Sequence, residues 1–198
     1  MKKILIVCKG HTNIAGAQLY LKHIASLFPK KDFELCFALW RADGLKFIEE
    51  ISDICNTVVV EYDWRHLPFL RAFIQGWRLF REKKPELIIF NSPEDQILAP
   101  LWAAYLSRVP QKTLVVHWAQ SENDMPLFSK KRLNIPIPSP WAIQTRLTRA
   151  MAYRLLNALI FVSHGTHRAY VKLYKVPDAK CHTIHNGVPV ERFYQPQL

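Results

Sequence analysis

Short apolar runs alternate with amphipathic segments along the whole chain, and this alternation limits the fold more than any other feature. The first run, Ile4–Cys8, contains no polar residue, as a strand buried on both faces requires. Further strand-like runs follow at 33–40, 57–62, 87–90, 113–117, 158–162 and 181–184. Segments with helical spacing separate them, at 19–28, 44–53, 67–84, 93–107, 141–156 and 163–174. Strands that alternate with helices predict an α/β domain with a mostly parallel sheet.

The length and composition of the chain favour one globular domain. The 198 residues are 49% hydrophobic and 22% charged, which excludes a disordered chain and allows a sizeable core. Lys and Arg number 27 against 16 Asp and Glu, so the formal charge is +11. This excess favours an anionic partner, which could be a membrane surface, a nucleic acid or a nucleotide-linked substrate.

The cysteines and the N-terminus indicate a reducing compartment. No two of the four cysteines form a CxxC pair, and we expect buried free thiols at Cys8, Cys36, Cys55 and Cys181. The chain opens with two lysines and a strand rather than a signal peptide, and no apolar run reaches the ~20 residues of a spanning helix. We therefore expect a cytoplasmic protein that at most rests on the inner face of a membrane.

A glycine-bearing loop follows the first strand. Gly10 and Gly16 lie in the segment that joins this strand to a helix. Such a loop can aim backbone N–H groups and the positive end of a helix at a phosphate, or it can be a tight connection without a ligand. Its spacing is neither the dinucleotide fingerprint nor the P-loop lysine motif, which disfavours a nucleotide-dependent oxidoreductase.

Polar residues follow several of the predicted strands. Right-handed crossovers place all strand-to-helix loops at the carboxyl edge of a parallel sheet, where ligands of open α/β sheets bind. Asn91 or Ser92 is expected to cap one helix there, and Ser163 another. The groups that we expect at this edge are the Gly16 loop, Asn91, Ser92, His117, the long loop Trp118–Pro140, Ser163, His164, Asn186 and Gly187.

Three segments resemble a known family. They are Ala-Gly-Ala-Gln-Leu-Tyr-Leu at 15–21, Ala-Leu-Ile-Phe-Val-Ser at 158–163, and Cys-His-Thr-Ile-His-Asn-Gly-Val at 181–188 with Phe193 beyond it. In order and spacing they resemble retaining glycosyltransferases of the two-Rossmann-domain (GT-B) type, family 4. The resemblance implies a Rossmann-like three-layer domain, which is a single half of a GT-B fold. Residues 1–198 would form the N-terminal, acceptor-side domain, with the C-terminal donor-binding domain absent from this chain.

The resemblance also implies roles for individual residues. Gly16 matches the family glycine that faces the donor diphosphate, and Ala15 stands where the family often has a second glycine. His117 matches a position near the transferred sugar, and we take it as the catalytic candidate; a histidine satisfied by the adjacent loop is the alternative. Further donor-side candidates are Ser163, Asn186 and Gly187, the last two serving to position the chain. Acceptor-side candidates are Asn13, Gln18, Asn91, Trp118 and Gln120. The alternative for Asn13 and Gln18 is that they are polar surface residues that contact only solvent.

The implied reaction transfers a sugar from a nucleotide-sugar to a saccharide, lipid-linked or polyol acceptor, with retention at the anomeric carbon. The chain alone would be inactive, because most of the stabilisation of the leaving diphosphate would come from a donor domain, present in cis or in trans. We expect no metal and no cofactor besides the nucleotide-sugar substrate. No Asp-x-Asp motif is present, and the pairs His164/His167 and His182/His185 lack a third ligand of suitable spacing.

Other readings of the sequence remain. The chain could be a non-catalytic α/β module that binds a nucleotide or a membrane, or one subunit of a split glycosyltransferase. The helix at 67–84 carries Phe69, Phe73, Trp77 and Phe80 at helical spacing. This spacing is typical of core residues, but with its basic residues such a helix can also lie on an anionic membrane. The basic residues around that helix would suit either an anionic membrane or a solvated face; they are Arg65, Arg71, Arg78, Arg81, Lys83 and Lys84. No nucleic-acid motif is present, and we expect no nucleic-acid partner.

Overall fold

The described part of the chain forms seven β-strands and five α-helices. The computed structural model describes residues 1–9, 16–29, 31–40, 49, 51, 59–61, 68–91, 94–117 and 140–187. The strands β1 to β7 are Lys2–Lys9, Phe33–Trp40, Val59–Glu61, Leu87–Asn91, Gln111–Val116, Ala158–Phe161 and Cys181–Thr183. The helices α1 to α5 are Gly16–Leu27, Phe69–Lys83, Glu94–Leu106, Pro140–Leu155 and His164–Tyr174. The predicted helix at 44–53 lies almost entirely outside the described residues.

The strands form one parallel sheet. Its order is β3-β2-β1-β4-β5-β6-β7, and every strand pairing is parallel, which confirms the predicted α/β class. The strand order reverses direction between β1 and β4, so the connections on the two sides run to opposite halves of the sheet. A reversal of this kind leaves a crevice at the carboxyl ends of the two central strands, which is where open α/β sheets bind ligands.

Both faces of the sheet are covered, which confirms the three-layer architecture. Along β1, Leu5 and Val7 belong to one buried cluster, whereas Ile6 and Cys8 belong to a second. The first cluster includes residues of α2, α3, α4 and α5, and the second includes Leu21 and other residues of α1. A strand packed on both sides must be apolar at every position, which explains why the strand runs in the sequence are unbroken.

Helix α2 packs against the domain through a side that combines two small residues with Leu79 and Phe80. Phe80 is buried as expected, but Phe69 is 53% exposed and Trp77 is 37% exposed, so the core placement that their spacing favoured was wrong for these two. The buried side of the helix is formed by Ala72, Gly76, Leu79 and Phe80. The small residues Ala72 and Gly76 allow α3 to approach closely, whereas Phe69 and Trp77 lie towards solvent.

Gly76 marks the point of closest approach between α2 and α3. A Cβ atom added there would lie 3.2 Å from the Cβ of Ala103 and 3.3 Å from the Cα of Pro100. Pro100 lies inside α3, where it removes one backbone hydrogen bond but presents a flat surface to its neighbour. The contact with a backbone atom cannot be relieved by a side-chain rotation.

The cysteine prediction holds wherever the structure describes it. Cys8, Cys36 and Cys181 are buried thiols outside any disulfide, and Cys55 lies outside the described residues. Burial raises the pKa of the Cys8 thiol far above its ordinary value, so the thiol stays protonated. None of the helices in the described ranges combines the length and the apolar character that crossing a bilayer requires.

We predict that Gly76→Leu destabilises the protein by roughly 2 kcal/mol or more, because the added atoms overpack a contact that includes backbone. The matched control is Gly165→Ala in α5, where an added Cβ would lie 3.7 Å from the Ser163 hydroxyl oxygen, an ordinary contact. It should leave the stability unchanged or raise it by roughly 0.5 kcal/mol. Urea denaturation measures both variants. Equal stability of Gly76→Leu and the unchanged protein would contradict the packing of α2 on α3.

Candidate functional site

A histidine and an asparagine meet at the carboxyl ends of two adjacent central strands. Asn91 is the last residue of β4, and His117 directly follows β5. Asn91 is buried, and its Oδ1 lies 2.5 Å from Nε2 of the half-buried His117. An amide oxygen can only accept a hydrogen bond, so the imidazole proton is on Nε2, and Nδ1 is the acceptor nitrogen. Asn91 is therefore a partner of His117. The predicted cap of α3 by Asn91 or Ser92 stays a prediction, because residues 92 and 93 lie outside the described residues.

Helix α1 brings an aromatic ring to the same place. The ring of Tyr20 lies edge-on to the ring of His117, with 5.3 Å between the centroids. Gly16 is the first residue of α1, and Tyr20 follows it by four residues, which is roughly 6 Å along the helix axis. The positive end of α1 thus lies about one helical turn from the residue that contacts His117.

The surroundings keep His117 neutral. Burial lowers the pKa of the His117 imidazole below its ordinary value of 6.5, and burial raises the pKa of the Tyr20 hydroxyl. As the pH falls below 6.5, the unfolded chain is protonated at this residue before the folded chain. Stability contributed by His117 is therefore complete above pH 6.5 and is lost as the pH falls through the folded pKa. At pH 7 the site offers a neutral imidazole with one donor and one acceptor.

Ser163 lies at the start of α5, as predicted from the sequence. Its Oγ accepts a hydrogen bond from the Thr166 backbone N–H at 3.1 Å, so it caps the helix. This bond occupies the side chain, and Ser163 contributes to the site chiefly by fixing the first turn of α5.

The segment after β7 returns to the same edge of the sheet. The rings of His164 and His185 contact each other edge to face, with 5.1 Å between the centroids. Asn186 and Gly187 follow and are exposed. A Cβ atom at Gly187 would meet no heavy atom within 4 Å, so the described part of the chain does not itself require glycine there.

Several predicted site residues lie outside the described residues: Asn13, Ala15, Trp118 and Gln120. Gln18 belongs to α1, but the structure does not describe its side chain. Their proposed roles therefore stay predictions. The structure brings together His117, Asn91 and the start of α1, and it brings Ser163 to the same edge of the sheet.

The histidine pairs differ from those that the sequence spacing singled out. His167 points away from His164: its Nδ1 lies 3.1 Å from the Thr183 hydroxyl and its Nε2 lies 3.0 Å from Asp178. Its ring also stacks on Phe161. Among the residues that the structure describes, no three His, Cys, Asp or Glu side chains form a group that could hold a metal ion.

Sequence reasoning missed Tyr20 and the contact between His164 and His185. Tyr20 was visible only as part of the apolar pattern of α1, although its place one turn after Gly16 could have indicated the edge. The His164–His185 contact joins residues 21 positions apart and depends on the pairing of β6 with β7. No local spacing could have revealed it.

The doubly wound parallel sheet, with polar groups gathered beside its reversal point, defines a Rossmann-like domain. The chain belongs to Glycosyltransferase Family 4, whose sequence profile matches residues 14–192. No curated protein sequence matches the chain significantly.

Solved structures share this fold at low sequence identity. Anabaena HepE, solved in complex with UDP and glucose, has 18% identity and a TM-score of 0.62 over 99% of this chain and 48% of its own. A glycosyltransferase from Rickettsia africae has 12% identity and a TM-score of 0.63 over 100% and 46%. The UDP-GlcNAc 2-epimerase from Methanocaldococcus jannaschii has 12% identity and a TM-score of 0.60 over 93% and 45%. The chain spans about half the length of each of these proteins.

We predict that Asn91→Asp raises the pKa of His117 by roughly one unit or more, because a carboxylate in contact with the ring favours its charged form. The control is Asn91→Leu, which removes the hydrogen bond but keeps the site buried, so the pKa should stay below 6.5. An NMR titration of the His117 ring protons measures both. A His117 pKa that is the same in the two variants would show that residue 91 does not contact the ring.

Proposed function

We propose that this chain is the acceptor-side half of a retaining glycosyltransferase. In the proposed reaction an acceptor hydroxyl replaces the nucleoside diphosphate at the anomeric carbon of the donor, on the same face of the sugar. The hydroxyl proton leaves with the diphosphate oxygen. Acceptors of suitable chemistry are a saccharide, a lipid-linked saccharide or a polyol.

One observation carries the proposal: a neutral His117 is held by Asn91 and Tyr20 at the reversal point of the sheet. A sugar presents hydroxyl groups that both donate and accept hydrogen bonds. The Nδ1 of His117 can accept from such a hydroxyl, whereas a protonated imidazole could not. Membership of Glycosyltransferase Family 4 supports the assignment of sugar chemistry to this edge.

The start of α1 suits the donor diphosphate. The backbone N–H groups of the first turn have no partner within the helix, and the helix dipole favours a negative charge in front of them. Gly16 occupies this first position, which permits close approach of a phosphate. Ser163, Asn186 and Gly187 would add contacts from the far side of the same edge, with Ala15 beside Gly16. Asn13, Gln18, Trp118 and Gln120 are proposed to contact the acceptor.

The site is half of a cleft in this proposal. A nucleotide-sugar needs cations or several backbone donors to stabilise the diphosphate as it leaves. Within the described site, the start of α1 is the element suited to that role, and a second domain in cis or in trans would supply the others. We therefore expect the 198-residue chain to be inactive alone. Neither a metal nor any other cofactor enters the proposal.

Helix α2 supports a location at the cytoplasmic face of an anionic membrane. Its outward side exposes four large apolar side chains, at 36% to 65% of their surface: Phe69, Leu70, Ile74 and Trp77. Exposed Arg71, Arg78 and Arg81 lie on the same helix. Apolar groups beside arginines are the composition that binds the interface of an anionic bilayer.

The enzymatic proposal is tested with the complete protein. The coding frame is read beyond Leu198, the whole product is expressed, and nucleotide-sugars are titrated against it. We predict that at least one binds and is consumed, and that His117→Ala lowers turnover by roughly 100-fold or more. His164→Ala is the control for a histidine at the same edge that is not assigned to the reaction, and it should retain most of the turnover.

Each outcome of this experiment decides between the readings. If the frame stops at Leu198, the chain is mixed with the product of a neighbouring frame that encodes a donor domain, and transfer by the mixture supports a split enzyme. The absence of binding by every nucleotide-sugar, to the complete protein and to such a mixture, would sink the transferase proposal and leave a non-catalytic α/β module.

For the membrane, we predict that the double variant Phe69→Ser/Leu70→Ser binds vesicles of anionic phospholipid several-fold more weakly than the unchanged chain, because it removes buried apolar contact with the bilayer. Leu27→Ser in α1 is the matched control, since Leu27 is 82% exposed on another helix. Vesicle co-sedimentation measures all three proteins. Equal binding of the double variant and the control would contradict a role for α2.

A further inference from the structure

A second cavity lies at the amino edge of the sheet, opposite the site of His117. It has a volume of about 520 Å³ and lies where α2 and α3 end and where β4 and β5 begin. Its walls include the side chains of Trp77, Phe80 and Leu106, together with the chain segments 84–86 and 107–110. The volume suits a small organic ligand.

Three cations line this cavity and one carboxylate opposes them. The cations are Arg81, Lys84 and Arg108, and the carboxylate is Glu86. Arg81 lies over the indole of Trp77, with 5.1 Å from the guanidinium carbon to the ring centroid. Among the described residues, no carboxylate forms an ion pair with any of the three cations. The cavity is therefore short of negative charge.

The backbone holds two of the cations in an unfavourable conformation. Lys84 and Arg108 have φ angles of 48° and 56°, in the left-handed region that glycine occupies most easily. Each follows the end of a helix, where a cation is favoured by the helix dipole. Lys175 has the same conformation after α5, far along the chain, so a cation at this position is not in itself evidence of a site.

What distinguishes the amino-edge cavity is the combination of features around it. The Ser107 hydroxyl oxygen is buried at the cavity wall and has no hydrogen-bond partner among the described residues, which costs on the order of 1 kcal/mol or more. The Trp77 indole provides an apolar wall beside the guanidinium of Arg81. The negative ends of the α2 and α3 dipoles together offset about one positive charge. Even with Glu86 included, the three cations exceed the negative groups around the cavity.

The cavity is distinct from the proposed transferase site. Strands β4 and β5 have five and six residues and start at its wall. At roughly 3.3 Å per residue they separate the two edges of the sheet by roughly 17 to 20 Å. A small ligand in the cavity cannot reach His117, so the inference does not rest on the proposed transferase activity.

We propose that this cavity binds a phosphate ester, with the phosphate held by Arg81, Lys84 and Arg108 and its organic group against Trp77. Arginine and lysine form their strongest hydrogen bonds with phosphate oxygens, and a phosphate accepts from several donors at once. The shared chemistry covers a soluble sugar phosphate and the headgroup of a phospholipid. Exposed Trp77 and Leu106 beside the cavity would contact the apolar part of a lipid.

The soluble arm of the test uses glucose 1-phosphate, with glucose as the neutral counterpart, in NMR and calorimetric titrations of the 198-residue chain. We expect glucose 1-phosphate to shift the backbone amide signals of Lys84, Glu86 and 107–109, and glucose to leave them unchanged. The variant Arg81→Ala/Arg108→Ala should bind roughly tenfold or more weakly, because it removes two charged donors. In His117→Ala the amide signals of the cavity should shift as they do in the unchanged chain, which separates this site from the transferase site.

Lys175→Ala is the matched control. It removes the cation of a residue that also follows a helix end with a left-handed backbone conformation, but that lies away from the cavity. The lipid arm uses vesicles of phosphatidylglycerol against vesicles of phosphatidylcholine. A lipid headgroup is the source of the phosphate if three results are obtained together. The double arginine variant no longer binds the vesicles, Lys175→Ala still binds them, and glucose 1-phosphate gives no response. The proposal is overturned if neither ligand shifts the amides of the cavity, or if the double arginine variant binds as tightly as Lys175→Ala.

Discussion

The parallel pairing of β1 with β4 is the constraint on which the rest of the structure depends. Chain segments on the two sides of this pair cross in opposite directions, so the loops after the two strands diverge and leave a crevice between them. Asn91 is paired with Cys8 across the junction, which fixes its place beside that crevice. Because both strands are covered on both faces, their side chains are apolar until the carboxyl edge, where polar groups first become possible.

At that edge, burial and a neutral partner determine the character of His117. A carboxylate in place of Asn91 would attract a proton to the ring, as in many histidine sites. The amide instead orients the imidazole without favouring its charged form, and the packing of Tyr20 removes water from the ring. The result is a hydrogen-bonding group suited to hydroxyl-rich ligands, next to a helix start suited to phosphate.

Strands β4 and β5 connect this edge to a basic cavity at the opposite end of the sheet. The positive charge of the chain is thus not only a diffuse surface property, because part of it surrounds one cavity. The wall of this cavity holds the Ser107 hydroxyl, which has no hydrogen-bond partner within the described part of the chain. The small residues of α2 contribute to this arrangement. Gly76 lets α3 approach closely, while Phe69 and Trp77 are turned outward and Trp77 forms part of the cavity wall.

The sequence by itself determined the α/β class, the parallel sheet, the limits of most strands, the Ser163 cap and the carboxyl edge as the place of His117. These follow from local periodicity and from the handedness of crossovers, which act over short stretches of chain. Only the tertiary structure decided that Asn91 bonds His117, that His164 meets His185, and that Phe69 and Trp77 face outward. Those outcomes depend on contacts between residues far apart in the chain, where the shape of a neighbouring helix or strand outweighs local preference.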